Sequence, residues 1–587
     1  MSRARILTAL VALCAAAVVV TGCARRTAQQ APGTTGEGPQ SPPIESLDQH
    51  GDAEGRAEQR SASQSARIVS YDIAAGIDPP SHGLSATAQV RWECPEPVGS
   101  VWFDLRSDLK ISEITVGGGP ALQYSRDSEG RVTLPLPAGA GKSFTMSVSY
   151  AGVINGPRGG ASNQRVWDYI GPEGTYVRFE AEWYPQVWGD MATADIRLTV
   201  PEDWTTLTSG QLVGQSGNEQ QWRVSRPAAG LSFTAAQYVV AESRGGEIPI
   251  QCYTFERHRR RAAEFIEQCG EILALYQQLY GKYPFEKFAV AEIPDLYGGG
   301  HGDQGFIMLQ ERAFTGPFDT ELVAHEMAHN WWGSLIQCTE SEFLAEGFAT
   351  YSQALWREHV EGPKGLQAAM REQAEPVLLA SLEPEGEVSC FESESGPLLY
   401  EKGSWILHML RHQVGDDRWL KTVRKFAEDH AGQVVTCRQF QAAFDQAYGE
   451  PLEWFFKQWL YGTEVPWVTG DVHSEGAGQV RARLHQRLII GEGEPAADAG
   501  GTWKTEPSQM KLRVDVAVDY RGGRAVRTFM MDLPDQDFIF GCPGEPTGLV
   551  IDPDCWLLDH SKGLAGELDG DMRKLQEELD RELGGMN

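Results

Sequence analysis

The sequence is short of positive charge. It has 51 basic residues against 81 acidic ones, a formal net charge of −30. A nucleic-acid partner needs a basic face to meet phosphates, so composition argues against one. The acidity reads as solubility. A membrane-length apolar run is also missing near the N-terminus. Ile6–Val20 has fifteen residues, where a spanning helix needs about 20. Ten cysteines contain no CxxC pair, which argues against a zinc ribbon or a thioredoxin-type site. No internal repeat is found.

What the N-terminus does contain is a short export signal. Arg3 and Arg5 precede the apolar run, the pattern of a secretory leader. Val20-Thr21-Gly22-Cys23 resembles a bacterial lipobox, in which cleavage precedes the cysteine and lipid is attached to it. The expectation is a signal peptide over 1–22, lipidation at Cys23, and an exported body anchored to a bacterial cell membrane, its domains extracytoplasmic. Residues 23–66 are rich in Gly, Pro, Ser, Gln and Glu without apolar period, so they read as a disordered tether. Eight cysteines lie beyond Cys23. Export permits disulfides, and their pairing stays open.

Residues 67–245 alternate with period two. Leu84, Ala86, Ala88, Val90 and Trp92 form one such run, Phe144, Met146, Val148 and Tyr150 another, and Ile196, Leu198 and Val200 a third. This pattern predicts an antiparallel β saddle or sandwich. The period changes near residue 257: Phe265, Cys269, Ile272, Leu273, Tyr276 and Leu279 recur at helical spacing. Arg257 to Arg261 open this helix as a solvated basic face. Residues 246–465 read as a mainly helical domain with a short strand at Phe288 to Ile293. Residues 466–560 return to period two, with Leu512 to Tyr520 and a Gly522-Gly523 turn, and read as a C-terminal β-sandwich. A helical tail over 561–587 carries Met572, Leu575, Leu579 and Leu583 on one stripe, to dock on the body or on another chain. The fold class expected is multidomain α+β.

The strongest chemical signal is HEMAH, His325 to His329. On a helix the two histidines lie one turn apart on one face and can share one zinc ion. Glu326 then reaches the metal's water as general base. Asp319 is the expected N-cap. A third ligand is needed, with a fourth position open. Glu346, in LAEGFATY, is the candidate, with Thr339 and Glu342 arranged as a capping box before it.

HEMAHNWWGSLI followed by AEGFATY resembles the gluzincin aminopeptidases of the aminopeptidase-N and leukotriene-hydrolase family, and GKYPFEKFAVAEIP resembles that family's strand leading to the site. The resemblance implies a β saddle, a thermolysin-like catalytic domain and a small β-sandwich, in the order read above. It implies one catalytic zinc on His325, His329 and Glu346, a peptide substrate and aminopeptidase action. LLYEKGSWILHML implies that Tyr400 steadies the oxyanion. One departure is the spacing: sixteen residues, Asn330 to Ala345, separate His329 from Glu346, against about 18 in the family. A shorter loop around Cys338 to Glu342 is the expected cause.

The glycine-rich stretch YGGGHGDQGF, Tyr297 to Phe306, is followed by no Lys-Ser or Lys-Thr, so it does not cradle phosphate. By position it replaces the family's Gly-Ala-Met-Glu-Asn motif, with Gly302 where the amine-binding glutamate stands. Gly299, Gly300, His301, Gly302 and Asp303 are therefore expected to line the substrate cleft, where glycine lets a peptide strand approach. Three possibilities stay open for the missing carboxylate. Asp303 supplies it; Glu180, in FEAEWYP, supplies it; or the enzyme is an endopeptidase that needs no free amine. A rival of another class is a scaffold with a structural metal, which would have no use for Glu326.

Overall fold

The computed structural model describes residues 65–156, 168–243, 246–295, 300–382, 388–492 and 502–562. The leader, Cys23, Gly299, the tether up to residue 64 and the tail beyond 562 lie outside them. Among the described residues no helix is long and apolar enough to cross a membrane.

Period-two alternation becomes strand in the N-terminal region. The inward residues of Gly83–Glu93 and Ser143–Val153, from Leu84 to Trp92 and from Phe144 to Tyr150, are buried. These strands belong to a seven-stranded sheet ordered Gln211–Ser216, Glu219–Ala228, Ala192–Thr199, Arg67–Asp78, Gly83–Glu93, Ser143–Val153, Leu109–Val116. The expected all-antiparallel pattern fails at one place: Arg67–Asp78 and Ala192–Thr199 pair in parallel. A parallel pair requires a long crossover, and the strands and loops between these two provide it.

The helical region is built on a five-stranded sheet: β1 (Tyr238–Glu242), β2 (Ile250–Phe255), β3 (Phe288–Ile293), β4 (Gly300–Asp303) and β5 (Phe306–Gln310), in the order β1-β2-β3-β5-β4. The expected boundary at 245/246 is corrected here, because it cuts between β1 and β2, which pair antiparallel. Both faces of this sheet are covered. Cys252, Phe288, Val290, Ile307 and Leu309 join the helical core, while Tyr253, Phe255, Ala289, Ala291, Phe306 and Met308 join the core of the N-terminal sheets. Two-sided burial explains why FAVAEI does not alternate and is apolar except for the buried Glu292. β4 is an edge strand, antiparallel to β5.

Four helices frame the site: α1 (Ala262–Tyr280), α2 (Thr320–Ala328), α3 (Phe348–Glu361) and α4 (Tyr400–Val414). The basic run before α1 forms a short 3-10 turn, Glu256–Arg261, with Arg257, Arg259 and Arg261 ion-paired to Glu311, Glu256 and Glu264. Tyr276 of α1 puts its hydroxyl 2.8 Å from the Ala324 carbonyl oxygen and 3.2 Å from that of Ser352, tying α2 and α3 together. After residue 465 the described residues form two β sheets, one centred on Gln479–Glu492 and one on Leu512–Tyr520. Their core is continuous with that of the helices.

Candidate active site

Helix α2 begins where Asp319 accepts a hydrogen bond from the Leu322 amide at 3.0 Å. Val323, Ala324, Met327 and Ala328 bury its inner face. His325 and His329 then share the opposite direction, with ring centroids 5.0 Å apart. His329 Nδ1 lies 3.1 Å from the Trp332 carbonyl oxygen. Donation there fixes the tautomer and leaves the Nε2 lone pair for a ligand.

Glu346 arrives from a different element. The chain leaves α2 through a short strand, Ile336–Cys338, and enters a widened π turn, Phe343–Gly347, which runs into α3. The expected Thr339/Glu342 capping box does not form. Glu342 is the N-cap without a side-chain cap bond, and the Phe343 amide donates to Ser341 Oγ instead. A π turn holds one more residue than an α turn and often marks a functional site. Here it turns Glu346 toward the histidines, with Oε2 3.2 Å from His325 Nε2 and 3.6 Å from His329 Nε2. That oxygen is buried and makes no aligned hydrogen bond. Ligands about 2.0–2.1 Å from a tetrahedral zinc lie roughly 3.4 Å from one another. Two imidazoles and an orphaned carboxylate oxygen at these separations suit such an ion. Burial would raise the Glu346 carboxyl, but His329 and His325 hold it below its ordinary value.

A glycine contact brings in the next element. A Cβ on Gly403 would sit 2.9 Å from Gly347 Cα, so α4 and the π turn touch backbone to backbone. Close approach of this kind requires glycine on both sides. It sets Tyr400, the first residue of α4, with its ring 6.0 Å from that of His325 and nearly parallel to it. Glu401 beside it is buried, which lifts its carboxyl to about 7.

Glu326 is 6 % exposed, and burial lifts its carboxyl to about 7, opposed by the charge of His325 and by the Gly302 amide, which donates to it. β4 crosses directly over this group. A Cβ on Gly300 would fall 2.5 Å from Glu326 Oε1; one on Gly302 would fall 2.5 Å from the Glu326 carbonyl oxygen and 2.8 Å from His329 Cβ. These two glycines face α2, and their neighbours turn the other way. Asp303 accepts hydrogen bonds from the Ser232 and Gln304 amides, at 3.1 and 2.6 Å, and is buried. As an amine anchor Asp303 is therefore corrected: strand alternation aims it at the N-terminal sheets. His301 shares that side, 3.4 Å from Ser232 Oγ, with burial pushing it down to about 3. Glu180 lies 4.0 Å from Arg178. It sits on a short turn, Phe179–Ala181, and its charge acts on both His329 and Asp303.

Two supporting residues escaped the sequence reading. The Gln353 side chain hydrogen-bonds His325 from α3. Asn330 Oδ1 accepts from the Gly305 amide and the Tyr283 hydroxyl, both at 2.9 Å, and so pins β4 and β5 to the end of α2. Its position directly after HEMAH was the only available signal. Asn330→Ala leaves the buried Gly305 amide unpaired, while the Tyr283 hydroxyl keeps the Lys287 carbonyl oxygen at 3.0 Å; it is expected to cost about 1–3 kcal/mol of stability, read as a lower denaturation midpoint at unchanged slope.

Residues 265–459 match the peptidase family M1 domain. The chain is 22% identical to aminopeptidase N of Streptomyces lividans over 522 residues, covering 81% of this chain and 59% of that protein. It is 23% identical to aminopeptidase 2 of Candida albicans over 353 residues, covering 55% of this chain and 37% of that one. It thus spans little more than half, or less, of these relatives' length. Its fold is similar to the crystal structure of Legionella pneumophila aminopeptidase A in complex with aspartic acid, with a TM-score of 0.67 at 14% identity, covering 85% of this chain and 60% of that one. His325, Glu326, His329 and Glu346 all lie within the segment that matches the peptidase family M1 domain.

Proposed function

We propose that the protein is a zinc-dependent aminopeptidase whose substrate amine is held by Glu180. The observation that carries the reading is the convergence of three ligand atoms of His325, His329 and Glu346 within 4.8 Å of one another, beside the buried Glu326. A zinc ion held there supplies Lewis acidity toward the scissile carbonyl and lowers the pKa of water. Glu326 accepts the proton of the attacking water and returns it to the leaving nitrogen. The Tyr400 phenol donates a hydrogen bond to the oxyanion as it develops. The open edge of β4 pairs with the extended peptide, for which Gly300 leaves room. Glu180 takes the ammonium that Gly302 has no side chain to bind. The leader and Cys23 support an exported chain tethered by lipid, and Cys23→Ser would release it from the membrane fraction.

The test is one peptide set in free and N-acetylated forms, with products followed by mass. Stepwise removal of N-terminal residues from free peptides alone is the expected result. Internal cleavage of blocked peptides would overturn the exopeptidase reading. A charge-assisted contact contributes about 1.5–3 kcal/mol. Glu180→Ala is therefore expected to lower kcat/KM on free peptides by about 10–100-fold.

A further inference from the structure

We propose that Cys338 and Cys437 form a disulfide that ties the segment carrying Glu346 to the helix Cys437–Tyr448, α5. Their sulfurs are 3.9 Å apart, and both residues are buried. The backbones on each side are already fixed. Ile336–Cys338 pairs in parallel with Gln433–Val435, through the rungs Ile336↔Gln433, Gln337↔Val434 and Cys338↔Val435. One residue on, Thr436 caps α5 in a reciprocal box with Gln439. The Cys437 amide also donates to Glu340 Oε1 at 2.7 Å. Forming a bond of about 2.05 Å requires the two sulfurs to approach from this 3.9 Å separation.

The position gives the bond a purpose. Cys338 ends the strand that leaves the metal-binding helix, and the chain runs from it through Thr339–Glu342 directly into the π turn that presents Glu346. This is the segment expected to be shorter than in the family, and its entry into the π turn is held by the Phe343 amide donating to Ser341 Oγ at 3.3 Å. A cross-link at its start holds the ligand-bearing turn against α5. The cysteines are 99 positions apart in sequence, so the bond would close a long loop, where the gain from constraining the unfolded chain is large.

The chemistry is thiol–disulfide exchange with a disulfide-bearing oxidant, such as an oxidised dithiol protein or oxidised glutathione. Contact with Cys437 holds the Cys338 thiol below its ordinary value, which suits it to attack first. Its thiolate opens the oxidant's S–S bond, forming a mixed disulfide and releasing one thiolate. The Cys437 thiolate then attacks Cys338 sulfur and expels the second. Two protein thiols are oxidised, the oxidant is reduced to two thiols, and no other bond changes. Such bonds persist in an oxidising compartment, so its presence in the cell rests on the export reading, whereas its formation in vitro does not.

The experiment uses the full chain, equilibrated with oxidised glutathione, denatured without reductant and alkylated. Mass spectrometry should recover the Cys338 and Cys437 peptides joined, two hydrogens lighter than their sum, with the buried Cys390 alkylated as internal control. Recovery of both as alkylated thiols would overturn the proposal, whatever the peptidase assays give. A phosphine reductant, which spares the metal, should lower the melting temperature by about 5–10 °C. The Cys338→Ala/Cys437→Val variant should show no such response. An equal response in that variant would show that the bond does not anchor the segment.

Discussion

Replacing Glu326 by glutamine is expected to lower kcat/KM about 10³–10⁴-fold on an aminoacyl substrate, the range for a lost general acid–base group, while bound zinc stays at one per chain. The substitution leaves the rest of the site alone. Glutamine has the volume of glutamate, and its amide oxygen still accepts the Gly302 N–H. The three groups at the metal, His325, His329 and Glu346, are untouched. Only the capacity to take and return a proton disappears. The native carboxyl is suited to that task, because burial has already lifted it to about 7. A cation beside it draws the value down again, keeping the group ionised and ready to accept. Metal content by plasma spectrometry and kcat/KM by product release separate the cases. Loss of both would mean that Glu326 helps hold the metal. Retention of more than a tenth of the activity would remove it from the proton path and revive the scaffold reading.

What could be read beforehand divides along physical lines. His325, Glu326 and His329 lie within one turn and a third of helix, so spacing alone brought them together. Asp319 was legible as a cap for the same local reason. Glu346 was legible as a residue but not in its backbone. The π turn and the Ser341 contact answer to packing between Gly347 and Gly403, which are distant in sequence. The five-stranded sheet was visible only as the run FAVAEI. Its parallel partners, such as Cys252 opposite Val290, are separated by all of α1, and no local pattern announces such pairing. Asp303 was misread because proximity to the motif says nothing about which face of a strand a side chain takes. One residue of alternation separates the metal from the N-terminal sheets.

The same alternation makes Gly302 the most informative position in the cleft. Restoring the family's glutamate there would normally be expected to strengthen amine binding. Here the reverse is expected. The first atom of any side chain, Cβ, lands 2.5 Å from the Glu326 backbone oxygen and 2.8 Å from His329 Cβ, and neither belongs to a flexible tip. Relief requires β4 or α2 to shift. β4 is held by its pairing with β5 and by Asn330 at the adjoining Gly305, and α2 carries two metal ligands and the base. A displacement of about 1 Å in such groups costs roughly 10²-fold in rate. Both Gly302→Ala and Gly302→Glu should therefore lose at least about 10²-fold in kcat. Alanine is the decisive variant, since it adds the clash without adding a charge. If alanine is harmless and glutamate raises kcat/KM on free peptides, β4 has slack and the amine site is merely unfilled. If both fail and Glu180→Ala weakens binding in the native background, then close packing of strand on helix has excluded one carboxylate and left the other to hold the substrate.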